Sequence, residues 1–143
     1  EIIGVLVDMI GEAERMLAHQ ILGALGVARL EGADDVHVEH IIPQKIRTRK
    51  AIDEFGDWVT YLGPGAESKH DAYVSRIGNL TLIAGALNIG ASNNPFLKKK
   101  QAYKASAITL TKDLVGMTQF KFKHVDKRSK ALAKIAVQLW PTP

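Results

Sequence analysis

Two imidazoles and a carboxylate stand within four residues at His37-Val38-Glu39-His40, a set able to bind a divalent metal or to move protons. Strict strand alternation puts His37 and Glu39 on one face and His40 on the other. For Glu39 and His40 to converge, the strand must end or twist there, and Pro43 lies close enough to stop it. Two amides stand out further along. Asn79 opens the apolar run Asn79-Leu-Thr-Leu-Ile83, although Asn is depleted in strands, which suggests a side chain bonded to a neighbouring loop. Asn88 interrupts the apolar stretch Ala86-Leu-Asn-Ile89, and its amide oxygen is a hard donor suited to Mg²⁺. Each has a structural alternative: a packed histidine pair, a turn residue, a helix residue bonded to its own backbone.

The elements that must position these residues follow from periodicity and punctuation. Ile3, Leu6, Ile10, Ala13, Leu17, Ile21 and Ala24 recur three or four apart, predicting a helix over 3–25. Residues 36–42 read as a strand between Asp34-Asp35 and Pro43. A long excursion over 44–76 carries a helix at 51–62, a Gly-Pro-Gly break at 63–65 and a short helical stretch near Ala72; excursions of that length are usually functional. Residues 79–83 form the second strand and 84–91 a short helix. Asn93-Asn94-Pro95 then caps a helix over 96–115, and a final helix spans 127–139. Trp58 and Tyr61, at helical spacing, belong to the core, and Phe120 and Phe122 alternate with lysines as an edge strand would. The expected fold is α+β and mostly helical, divided into a helical connector at 1–30 and a domain at 31–143.

The chain has 143 residues, 46% of them hydrophobic, which suits one folded domain and is too apolar for disorder. It has no cysteine, so disulfides and thiolate zinc sites are excluded. No apolar run reaches the roughly 18 residues that would span a bilayer, so no membrane partner is expected. With neither Met nor a signal-cleavage pattern at its start, the chain reads as part of a longer cytoplasmic protein. The net charge of +4 conceals an asymmetry: residues 1–40 carry eight acids and two bases, and residues 41–143 seven acids and seventeen bases. Bases cluster at Lys45–Lys50, at Lys98–Lys100 with Lys104, and between Lys121 and Lys134. Each cluster can be a solvated helix face, but three together favour a polyanion such as DNA.

Glu39-His40-Ile-Ile-Pro43-Gln44, then Asn79, then Asn88 nine positions later, resembles the HNH (His-Me finger) nuclease signature. Arg76-Ile-Gly-Asn-Leu-Thr-Leu-Ile83, Leu87-Asn88, Ser92-Asn-Asn-Pro-Phe-Leu-Lys98 and Tyr103-Lys-Ala-Ser106 look like the HNH domain at the C-terminus of GmrSD-type modification-dependent restriction enzymes. The closing pattern of Arg128, Leu132-Ala133 and Trp140 is similar too. Phosphorothioate-sensing phage-defence proteins carry a related domain behind an N-terminal nucleotide-hydrolysing domain. The resemblance covers residues 36–140 and implies a ββα-metal core.

By that resemblance His40 would be the general base, Glu39 and Asn88 the ligands of Mg²⁺ or Mn²⁺, and Asn79 the brace that orients His40. His37 would be a further ligand, or would orient Glu39 or pack. Lys98, Lys99, Lys100 and Lys104 are the first candidates for DNA contact, with Arg47, Arg49 and Lys50 next. The implied activity is metal-dependent nicking or cleavage of DNA, with target choice made by an N-terminal nucleotide-hydrolysing sensor domain of the same longer protein. The sequence departs from many HNH enzymes in having Glu39 where Asp is common and in lacking Cys-x-x-Cys braces. A non-catalytic nucleic-acid-binding module of the same fold and an RNA-cleaving HNH enzyme stay open as alternatives.

Overall fold

A computed structural model describes residues 36–47, 49, 52 and 57–139, apart from the side chains of 136, 137 and 139. The expected connector at 1–30 with its helix over 3–25, part of the helix over 51–62, Lys50 and Trp140 lie outside the described residues. Strand β1 (Val36–His40) pairs antiparallel with β2 (Leu80–Ala84), His40 facing Leu80 and Val36 facing Ala84. The two strands are distant in sequence, and β2 is buried on both faces over its first four residues, which fits an apolar run interrupted only by Thr81, whose hydroxyl pairs with that of Thr111 at 2.7 Å.

β1 ends at His40, two residues earlier than its apolar pattern suggests. Beyond His40 the backbone N–H of Ile41 donates to the Asn79 carbonyl at 2.9 Å and that of Ile42 to Asn79 Oδ1 at 2.8 Å. Asn79 therefore takes over where the ladder stops, and Ile41 and Ile42 turn into the core at 0% exposure.

The excursion between the strands holds α1 (Trp58–Leu62) and α2 (Ala66–Tyr73), closing with a 3-10 turn at Ile77–Asn79. Asp57 caps α1 by accepting from the Thr60 N–H at 3.0 Å. Gly63 and Gly65 carry φ of +90° and +76°, the left-handed conformations that the Gly-Pro-Gly break requires.

After β2 the chain enters α3 (Gly85–Ala91) directly, then α4 (Phe96–Ala105), α5 (Thr109–Lys112), a 3-10 turn at Asp113–Gly116 and α6 (Phe122–Leu139). The single helix expected over 96–115 is thus broken at Ser106. Its hydroxyl accepts from the Ile108 N–H at 3.1 Å, a local bond that competes with helix continuation. α6 starts at Phe122, so no strand forms around Phe120 and Phe122. Phe120 is fully buried in the core, 5.7 Å between ring centroids from Phe96.

The core gathers Ile41 and Ile42 from just past β1, Ile83 from β2, Trp58, Phe96, Tyr103 and Val125 from three helices (α1, α4 and α6), and Phe120 from the segment before α6. Trp58 and Tyr61 stack edge-on at 5.2 Å, Trp58 buried and Tyr61 packed against the core, as expected of that pair. No helix of the described residues is long and apolar enough to cross a membrane.

Candidate active site

The end of β1, the residues just after it, and α3 enclose an open cleft of about 410 Å³ lined by Val38, Glu39, His40, Pro43, Gln44, Asn88, Ile89, Ser92 and Asn93. His40, Glu39 and Asn88, far apart in sequence, therefore share one concavity. The convergence comes from the abrupt end of β1, which lets residues of opposite strand faces approach the same space.

Asn79 stands behind this cleft at 0% exposure. Its Oδ1 accepts from Ile42 N–H, and its Nδ2 donates to the carbonyls of Ile42 at 3.0 Å and Val74 at 2.9 Å. Every polar atom of the amide is used. The side chain thus fixes the peptide two residues past His40 to the start of β2. The turn that carries Asn79 is itself clamped by α6. Arg128 Nη1 donates to the carbonyls of Gly78 at 2.9 Å and Leu80 at 2.5 Å, and Gly78 N–H donates to Ser129 Oγ at 3.0 Å. Only glycine fits at 78, because a Cβ there would lie 2.1 Å from the Val125 carbonyl oxygen.

Glu39 is 5% exposed and Lys99, on α4, is 0% exposed. Lys99 Nζ donates to Glu39 Oε1 at 2.5 Å and to the His40 carbonyl at 2.8 Å; Tyr103 Oη, one turn further along α4, donates to the same Oε1 at 2.9 Å. Burial pushes the Glu39 carboxyl up against the opposing pull of Lys99, and pushes the Lys99 ammonium down against the pull of Glu39. Burial disfavours the charge on both partners, so each charge depends on the other for its compensation. The Tyr103 phenol is raised well above its ordinary value, by burial first and then by the Glu39 charge.

The half-buried His40 imidazole is lowered to about 4, by burial first, then by the Lys99 ammonium and by the neighbouring His70. It is neutral at pH 7 and able to accept a proton. His70 on α2 is buried, its Nε2 2.7 Å from the Pro43 carbonyl oxygen and its Nδ1 3.7 Å from Asp71. It also lines a smaller hollow of about 260 Å³ with Gln44, Lys45 and Arg47.

The structure separates several residues from the expected set. His37 is exposed, faces Ile83 across the ladder and does not line the cleft. Lys99, expected at the surface for DNA contact, is a buried counter-ion, because α4 buries Phe96, Lys99 and Tyr103 at i, i+3 and i+7. Lys100 is held by its Nζ donating to the Met117 carbonyl at 2.6 Å. Lys98, Lys104 and Arg49 are exposed, and Arg47 is exposed while donating to the Glu67 carbonyl at 2.9 Å. Asn93 does not cap α4; the cap position is Pro95, and the Asn93 carbonyl accepts from Trp58 Nε1 at 3.0 Å. Two residues that matter to the site escape sequence reasoning. His70 leaves no signal in a polar segment, whereas Tyr103, four residues after Lys99, marks a buried stripe that the Lys98–Lys100 run obscures.

The residues lining the cleft include hard oxygen donors, the carboxylate residue Glu39 and the amides Asn88 and Asn93, a chemistry that suits Mg²⁺ or Mn²⁺. Among the described residues no group of three or more His, Asp or Glu is gathered, so such an ion would take much of its shell from water and phosphate. The residues present fit a weakly chelated cation.

An α+β protein with a single histidine at a strand end, braced by a buried amide, is the class that this fold and cleft define. Residues 13–135 match the family model of the GmrSD restriction endonucleases, C-terminal domain, and the chain belongs to that family, which places it among restriction-endonuclease-type nucleases. No curated protein and no solved structure matches it.

Proposed function

We propose that this chain is a divalent-metal-dependent HNH endonuclease domain that hydrolyses phosphodiester bonds in DNA, the effector part of a phage-defence restriction protein. The observation that carries this reading is the shared cleft: His40, Glu39 and Asn88 line it together, with Asn79 locking the backbone behind His40.

The neutral His40 imidazole accepts a proton from water as its oxygen attacks phosphorus, and the 3′-oxygen leaves. Asn79 holds His40 at its attack geometry through Ile42, and a misaimed base loses rate steeply. Lys99, bonded to the His40 carbonyl, fixes the same peptide from the α4 side. An Mg²⁺ or Mn²⁺ ion held by Glu39 and Asn88 would supply charge to the transition state and the leaving oxygen. The negative charge of an approaching phosphodiester opposes the Lys99 contribution that, after burial, lowers His40, and so raises its basicity. Lys98 and Lys104, with Arg47 and Arg49, are the exposed cations proposed for DNA contact, and an N-terminal nucleotide-hydrolysing domain of the same longer protein is the proposed partner that selects the target.

The test is conversion of supercoiled plasmid to open-circle or linear DNA with Mg²⁺ or Mn²⁺. Wild type is expected to cut, EDTA to stop it, and His40→Ala and Asn88→Ala to abolish or cripple it. If His40→Ala cuts as fast as wild type, the mechanism is wrong. If wild type binds DNA and is inert with every metal, the domain is a binding module.

A further inference from the structure

Helix α6 carries Lys123, Lys127, Lys130 and Lys134, all exposed. At about 100° per residue they fall within about 60° of arc, one straight stripe along the helix. The buried residues Val125 and Leu132, together with Arg128 and Ser129, lie on the opposite side, against the turn that carries Asn79. None of the four lysines enters an ion pair among the described residues. The one acid of α6, Asp126, is already held by Arg76 Nη1 at 2.6 Å and by Tyr73 Oη at 3.0 Å. The positive field is felt locally: His124 sits below its ordinary value through burial first, then Lys123, with Lys127 and Lys121 adding to it.

We propose that this lysine stripe is a docking surface for the phosphate backbone of duplex DNA, separate from the cleft and from the cations of α4. The partner follows from charge and shape. The stripe spans eleven residue steps, about 16 Å at 1.5 Å each, comparable to five base-pair steps of duplex. A row of like charges with no ion-pair partner among the described residues suits a row of opposite charges. The mount is also fixed with respect to the chemistry. Arg128 and Ser129, on the far side of the same helix, hold Gly78 and Leu80 on either side of Asn79, which holds Ile42 and through it the end of β1. DNA seated on the stripe is thereby held at a set distance from His40. This inference rests on the nuclease reading for its choice of duplex DNA.

The experiment is equilibrium binding of the whole chain to a short fluorescent duplex in EDTA, which prevents cutting, over a range of about 0.05 to 0.2 M salt. The comparison is wild type, the quadruple Lys→Gln variant at 123, 127, 130 and 134, and the quadruple Lys→Arg variant. Removing one lysine that neutralises a phosphate makes the log–log salt dependence shallower by about 0.9. The Gln variant should lose a slope of at least about 2 and bind at least about tenfold more weakly near 0.15 M salt, with unchanged thermal melting; the Arg variant should bind like wild type. A Gln variant whose slope stays within about 0.5 of wild type overturns the proposal. So does one that loses binding to single-stranded RNA and keeps duplex DNA. If wild type fails to cut plasmid but shows the stripe-dependent slope, the nuclease reading falls and the docking surface stands; if it cuts and the slope ignores the stripe, the reverse holds.

Discussion

Replacing Lys99 by Met removes the partner of a carboxylate that is 5% exposed and leaves only the Tyr103 hydroxyl on Glu39 Oε1. An uncompensated buried charge of this kind costs about 3–5 kcal/mol, a large share of the roughly 5–15 kcal/mol that holds a domain folded. Lys99→Met/Glu39→Gln removes both charges and keeps an acceptor for Tyr103, so the double variant should be more stable than Lys99→Met alone. The assay is urea unfolding of wild type, both single variants and the double variant, read as a double-mutant cycle. The coupling energy should be about 2 kcal/mol or more, and Lys99→Met should show it alone. A pH series adds a second readout. The folded Glu39 carboxyl is raised above its unfolded value of 4.5, so its favourable contribution is full below that pH and is lost as pH rises through the folded value. Without Lys99 the rise is larger, so the deficit of Lys99→Met should be smallest near pH 4.5 and grow towards pH 8. Additive variants, with Lys99→Met costing less than about 1 kcal/mol, would place Lys99 in solvent and refute the reasoning.

Asn79→Ala strips three side-chain hydrogen bonds from a fully buried site, which should cost about 3 kcal/mol by chemical denaturation and abolish plasmid cutting even where the variant is folded; cutting at the wild-type rate would show that the brace is irrelevant to His40. Since folded His40 is lowered to about 4, its contribution to stability is complete above the unfolded value of 6.5 and is lost as pH falls through about 4. The acid limb of kcat/KM should likewise lie well below 6.5, and half-maximal activity at pH 6.5 or above would contradict the depressed imidazole. Gly78→Ala drives a Cβ to within 2.1 Å of the Val125 carbonyl and should destabilise by about 3 kcal/mol or more. Gly90→Ala, with nothing within 4 Å, should stabilise α3 by about 0.5–1 kcal/mol; equal melting temperatures for these two variants would refute the clamp.

The two strands and the short helix after β2 are legible in the sequence because their signals are local: β-branched runs, Pro43 and Gly-Pro-Gly. The same locality explains where the sequence misleads. The helix over 96–115 breaks because one hydroxyl, Ser106, bonds the backbone two residues on, an event that periodicity averages away. Phe120 and Phe122 alternate with lysines as strand residues do, yet Phe120 fills the core while Phe122 begins α6; alternation over four residues cannot tell these apart. Glu39, His40 and Asn88 belong together by their motif spacing, and the cleft brings them together. Lys99 is misleading because a run of three lysines looks like a solvated surface. Only its register with Phe96 and Tyr103 marks it as buried, and the carboxylate it meets is sixty positions away in sequence.

The burial of Lys99 changes what the cleft requires of its substrate. Among the described residues Glu39 is the one acid lining the cleft, and its charge is offset by an ammonium 2.5 Å away. A cation held there, as proposed, would therefore meet little net negative charge, while His40 is lowered first by its own burial and then by Lys99 and His70. Both conditions change in the same direction when a phosphodiester arrives. On that reading its charge would add a hard oxygen donor for the cation and would oppose the Lys99 contribution that, after burial, lowers His40. On the proposed nuclease reading, a site built this way would be poor at activating water on its own and would improve once a phosphodiester is seated.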